Sequence, residues 1–173
     1  VGRMLTRAHA FALTGLDATP VEIEVYVSLD PRNATCTIVG LPDKALQEAR
    51  SRIRSASVAA GVDTTQSLVL VNLAPAEVRK EGAAFDVPIA LGVLAAAGAL
   101  DLPQSPVLFI GELSLDGALR HTTGVLPLVA LARASGIGTV VVPAHGELAH
   151  EADVVDYRDM VTIIRDRVKD MIG

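Results

Sequence analysis

An α/β domain of the α+β kind is what the sequence predicts, and three patterns carry that prediction. Val21-Glu22-Ile23-Glu24-Val25-Tyr26-Val27 alternates apolar and polar side chains, the period of a strand with one wet face. Ala45 to Ala60 instead repeats at helical spacing and stops at Gly61. From Leu68 onward, β-rich runs alternate with helical ones, so antiparallel pairing comes first and β–α alternation later.

The elements follow in order. Ala8 to Leu13 is a weaker strand ahead of Val21 to Val27. Asp30-Pro31-Arg32-Asn33 has the composition of a hairpin turn, and Thr35 to Val39 is the strand expected to return from it. Asp43 is suited to cap the helix that starts near Ala45. Leu68 to Leu73 is a strand. Asp86 is expected to cap the next helix, Val87 to Ala97, with Pro88 tolerated in its first turn. Val107 to Ile110 and Leu113 to Leu115 are short strands, and Asp116-Gly117 is a strong hairpin signal. A helix from Gly124 to Ala134 precedes a buried strand, Thr139 to Val142, closed by Pro143. The tail suggests a short helix at Glu147 to Glu151, an extended piece at Val154-Val155 and a last helix from Arg158 to Met171. One domain over residues 4–173 is the simplest organisation; Val1 to Arg3 reads as a remnant of an expression vector.

Composition narrows the function. Half of the 173 residues are hydrophobic but only 3% are aromatic, so the core is aliphatic. The formal charge of −5 argues against a basic nucleic-acid coat, leaving room for a local patch. The single cysteine, Cys36, excludes an internal disulfide and fits a reducing cytoplasm. His9, His121, His145 and His150 show no zinc-ligand spacing with it, so no structural metal site is expected. His145 and His150, with Glu147 and Glu151, read as a wet helix face. No apolar run is long enough to span a bilayer, and no membrane partner is expected.

Two linked signatures stand out. Val71-Asn72-Leu73-Ala74-Pro75-Ala76-Glu77 leads into Arg79-Lys80-Glu81-Gly82-Ala83-Ala84-Phe85-Asp86-Val87-Pro88-Ile89-Ala90. Gly111-Glu112-Leu113-Ser114-Leu115-Asp116-Gly117-Ala118-Leu119-Arg120 follows, then Gly124-Val125-Leu126-Pro127. With Ile38-Val39-Gly40-Leu41-Pro42-Asp43, these resemble the N-terminal domain of the Mg-chelatase-like AAA+ proteins (the ComM/YifB group, with a ChlI-like domain) over nearly the whole chain. The resemblance implies the ribosomal-protein-S5 domain-2-like fold, shared more distantly with the proteolytic domain of Lon.

The Lon likeness can be tested on chemistry. A Ser–Lys dyad needs an amine beside a hydroxyl to take its proton. The matching positions hold Ala84 and Leu126, and no lysine occurs between Lys80 and Lys169, so the dyad is missing and no catalytic residue is expected. No Gly-x-x-x-x-Gly-Lys-Ser/Thr loop is present to cradle a nucleotide. The resemblance places the ATPase, with its ATP and Mg, in a module downstream, so the chain reads as an excised N-terminal domain. Asp43, Gly82, Asp86, Glu112, Asp116 and Gly117 read as structural, through caps, turns and a pairing of Glu112 with Arg120.

The functional surface considered is basic. Lys44, Arg50, Arg52 and Arg54 lie on one helix, and Arg79-Lys80 in the turn before the next. Such side chains suit sequence-independent phosphate contacts. What the resemblance implies is a non-catalytic accessory domain of a hexameric AAA+ motor that acts on DNA, as in branch migration during natural transformation. Its partners would be its own AAA+ module, neighbouring subunits of the ring, and DNA. Alternatives are a motor for inserting Mg into a porphyrin, and a pure oligomerisation scaffold.

Overall fold

The computed structural model describes residues 4–14, 17–120, 122 and 125–142. Among them the elements run β1 (Met4–Thr14), β2 (Asp17–Leu29), β3 (Thr35–Val39), α1 (Lys44–Ala59), β4 (Ser67–Ala74), α2 (Asp86–Ala96), β5 (Val107–Phe109), β6 (Glu112–Leu113), β7 (Leu119–Arg120), α3 (Val125–Ala134) and β8 (Thr139–Val141). A six-stranded mixed sheet has the order β3-β4-β2-β1-β5-β8, and β6-β7 form a separate ribbon. The class is the mixed α/β one that the periodicities predict. The expected tail elements at 147–151, 154–155 and 158–171 lie outside the described residues, as do Val1 to Arg3, Pro143, His121, His145 and His150. Among the described residues no helix is long and apolar enough to cross a membrane.

One pairing differs from the expectation. The turn at Asp30–Asn33 forms, because the Asp30 carboxylate accepts from the backbone N–H of Arg32 at 3.2 Å and of Asn33 at 3.3 Å. The strands on its two sides do not pair. β4 lies between them, antiparallel to β2 (Val25↔Val71) and parallel to β3 (Ile38↔Val71). The Asp30 N–H donates to Gln66 at the entrance to β4, 3.1 Å away, so the turn itself steers the chain off the β2 edge. Turn chemistry specifies the reversal and leaves the partner open.

Strand alternation divides the side chains between two faces. Ala8, Ala10, Ile23, Val25, Val69 and Val71 point to one face and form the main core with α1 and α2. α1 is amphipathic and buries Leu46, Ala49, Ile53 and Ala56. α2 is apolar all round and is buried at every position except Leu91. On the opposite face, Phe11, Leu108, Ile110 and Val142 pack against Leu128 and Ala132 of α3 in a second, smaller core. α3 covers only that end. Over β2, β4 and the start of β1, no described residue covers the same face, and Leu5 and Leu70 are exposed.

Two glycines set close approaches. A Cβ on Gly92 would lie 2.6 Å from a Val25 methyl, so the glycine lets α2 settle onto β2. At Gly40, φ is +99° and a Cβ would lie 2.1 Å from the Leu73 carbonyl oxygen. The backbone there can neither accept a side chain nor move without breaking the β3–β4 register. Gly40→Ala is therefore expected to cost about 2 to 4 kcal/mol, through strain and overpacking together. Gly92→Ala meets only a side chain and should cost less. Urea denaturation midpoints of the two variants check the order; equal midpoints would contradict it.

Candidate functional site

Several turns of the sequence signatures meet around the N-terminus of α2. A 3₁₀ turn, Ala83–Phe85, leads directly into that helix. Asp86 does not cap it, which corrects the expectation. The residue at the cap position is Phe85, with no side-chain hydrogen bond, and Asp86 is already the first helical residue. Its carboxylate points inward instead. Arg52 of α1 donates to it twice, Nε to Oδ2 at 2.6 Å and a terminal nitrogen to Oδ1 at 3.1 Å. The Leu113 N–H of β6 donates to Oδ2 at 3.2 Å. α2 receives its N-terminal partner from the main chain, since Val87 N–H donates to the Gly111 carbonyl at 3.1 Å.

The environment is dry. Asp86 has no solvent exposure and the Arg52 side chain 21%. Burial pushes the Asp86 carboxyl above its ordinary range, with the two Arg52 bonds and the Leu113 amide pulling it back. The Asp86 bonds raise the Arg52 guanidinium, so the pair stays charged on the basic side.

A second junction lies beside the first. Asp43 caps α1 as expected, accepting from the Leu46 N–H at 2.7 Å. Its other oxygen accepts from the Gly82 N–H at 3.2 Å, and its own N–H donates to the Lys80 carbonyl at 2.9 Å. Lys80 is fully buried, its ammonium donating to the Pro75 carbonyl, and burial lowers its pKa. Asp43 and Lys80 thus tie the turn after β3 to the turn before α2. At the ribbon tip, Asp116 accepts from the Ala118 N–H at 3.1 Å, and Gly117 takes φ +87°. Glu112 stands opposite Arg120 in register, without an ion pair among the described residues.

The six candidate cations are not one patch. Arg52 and Lys80 face inward, which corrects their reading as phosphate contacts: each is consumed by a buried carboxylate or carbonyl. Arg54 donates to the Thr65 carbonyl at 2.7 Å. Lys44, Arg50 and Arg79 are exposed, and Arg79 pairs with Glu81 on the surface at 2.9 Å. Ala84 is half-buried against the second core, and Leu126 lies in the first turn of α3. Among the described residues no three His, Cys, Asp or Glu side chains gather as a metal site would require. Sequence reasoning missed Leu113, whose contribution is a backbone N–H. A usable signal was present for Asp86: a carboxylate opening a helix apolar on every face must be buried with it.

Fold and site together define a mixed α/β domain whose signature residues lock helix starts to turns. The family profile of subunit ChlI of Mg-chelatase matches residues 23–146, and the chain belongs to that family. It is 38% identical to the competence protein ComM of Haemophilus influenzae over 152 residues, 87% of this chain and 29% of that protein. An uncharacterized protein of Mycobacterium tuberculosis H37Rv is 39% identical over 157 residues, 90% of this chain and 30% of that protein. Uncharacterized protein YifB of Escherichia coli K12 is 37% identical over 138 residues, 79% and 27%. The chain thus spans less than a third of the length of these curated relatives.

Arg52→Ala leaves a buried carboxylate with one amide partner and is expected to cost about 3 to 5 kcal/mol. A loss within about 0.5 kcal/mol, as at a solvated helix face, would contradict the pairing. The pH dependence is the reverse of the usual aspartate case. Folded Asp86 holds its proton more tightly than the unfolded chain, so its ionisation costs stability. That cost is fully present above the raised folded value. It fades as pH falls through that value toward the unfolded value of about 3.9. Relative to Asp86→Asn, the wild type should gain stability on acidification, read as urea midpoints at neutral and mildly acidic pH.

Proposed function

We propose that this chain is a non-catalytic accessory domain of a hexameric Mg-chelatase-like AAA+ ATPase that acts on DNA, and that its task is to organise the ring more than to grip nucleic acid. The observation that carries this reading is the use made of the signature charges. Asp43, Arg52, Lys80 and Asp86 spend their hydrogen-bonding capacity joining α1, α2, β6 and the two turns. Residues so occupied make a rigid body that a motor can lean on; they offer little to a substrate. The DNA part of the reading draws its support from the likeness to a competence protein. ATP and Mg would be held by the AAA+ module, because this chain has no phosphate-cradling loop.

Of the six candidate cations, Lys44, Arg50 and Arg79 remain exposed for DNA, against a formal charge of −5. Any binding should be indifferent to sequence, in the range of roughly 10⁻⁴ to 10⁻⁶ M, and should fall steeply between about 50 and 200 mM salt. Fluorescence anisotropy with labelled single- and double-stranded oligonucleotides checks this. Lys44→Glu, Arg50→Glu and Arg79→Glu combined should abolish the residual signal without altering the melting temperature. Tight binding that survives the higher salt would make DNA guidance the primary role.

A further inference from the structure

Among the described residues β1 has a long unpaired edge. All its residues pair with β2, from Met4↔Val27 to Thr14↔Asp17. On its other side, among the described residues, only His9 pairs, with Leu108 of β5. In an antiparallel pair, alternate residues turn their N–H and C=O away from the partner. Along Met4 to Ala8 these groups therefore face away from β2, with no strand among the described residues to receive them. The cause is in the sequence. Pro106 immediately precedes β5 and has no N–H for a ladder, so β5 cannot continue backward along β1.

The chain from Leu102 to Pro106 swings outward and leaves a cleft of about 270 Å³. Arg7, Ala8 and His9 all line it. Ala8 belongs to the helix-covered face of the sheet, whereas Arg7 and His9 belong to the opposite face. A hollow touching both lies in the plane of the sheet, where the next strand would run. Its volume is just under the ~300 Å³ at which small-molecule pockets begin. Its walls also decide the occupant. The edge is recessed beside the exposed loop at 102–106, so two copies cannot bring these edges together, whereas a single extended peptide can enter.

We propose that the Met4–Ala8 edge of β1 and the loop at 102–106 form a docking slot for an extended peptide of a partner protein, which adds a strand to the sheet. Main-chain hydrogen bonds supply the attraction and alternate side chains the selectivity. On the covered face the slot ends on half-buried Leu102 and Phe109, which favour an apolar residue. On the open face the slot is lined by Arg7 and His9, with the Glu22 and Glu24 partners of Arg7 lying across β1 on β2. The partner strand is therefore apolar on one side and polar on the other.

The probe is an acetylated, amidated hexapeptide of alternating lysine and valine, titrated into the ¹⁵N-labelled chain up to about 5 mM, a range that reads weak affinities. Amide shifts confined to residues 5–9 and 102–109 are expected. The fully N-methylated peptide, which cannot form a ladder, should leave the spectrum unchanged. Ser105→Trp, which fills the slot from the loop side, should raise Kd at least about tenfold, as loss of a buried anchor does. The proposal is overturned by an unshifted spectrum at the highest concentration, by shifts along β3 instead, by equal binding of the methylated peptide, or by an unaffected Ser105→Trp.

Discussion

Asp86 is held at zero solvent exposure with its charge offset by one guanidinium, and much of the domain's geometry follows from keeping that pair together. A buried carboxylate without its partner carries a desolvation cost of several kcal/mol. Arg52 must therefore stay within reach, which fixes the rotation of α1 about its own axis. The Leu113 amide must also stay, which draws the β6–β7 ribbon under the start of α2. The neighbouring Asp43–Gly82 bond performs the same service for the turn that leads into α2. Three segments far apart in the chain are thereby held in one arrangement by a few charge-assisted bonds. An aliphatic core, indifferent to small rotations, would not specify it.

The sheet shows what that arrangement leaves over. α1 and α2 cover most of one face, while among the described residues α3 covers only the end of the other near β5 and β8. The uncovered part of that face carries the Arg7, Glu22, Glu24 and Asn72 side chains beside the exposed Leu5 and Leu70. Asn72 donates to Glu24 at 3.0 Å, and with Arg7 it holds the Glu24 carboxyl below its ordinary range.

How much of this was legible in the sequence differs by the kind of information. Periodicity located β3, β4, α2 and α3 closely, and cap chemistry located both ends of α1, because those signals are local. The partner of β3 was not legible: Asp30 and Asn33 encode a turn, and whether the strands beside it pair depends on β4, some thirty residues later. Asp86 misled for a related reason. A carboxylate before a helix looks the same whether it accepts from the helix amides or from an arginine 34 positions away in sequence. Lys80, between Arg79 and Glu81, has the local composition of a wet turn, yet it is swallowed by the backbone around it. The site was harder to read than the fold because its contacts are long-range.

The insertion of β4 between β2 and β3 also bears on how the chain emerges from a ribosome. The β1–β2 hairpin is complete as soon as Leu29 appears, but its β2 edge is covered only when residues 67–74 arrive. β3 appears in the interval with nothing to join, since among the described residues its strand neighbour is β4. At translation rates of about 5 to 20 residues per second, an apolar strand edge stays bare for seconds. Helix α1 fills that interval, and a helix forms in about a microsecond. Vectorial synthesis thus favours a nascent hairpin with a helix already formed behind it, both waiting for the central strand to slot in.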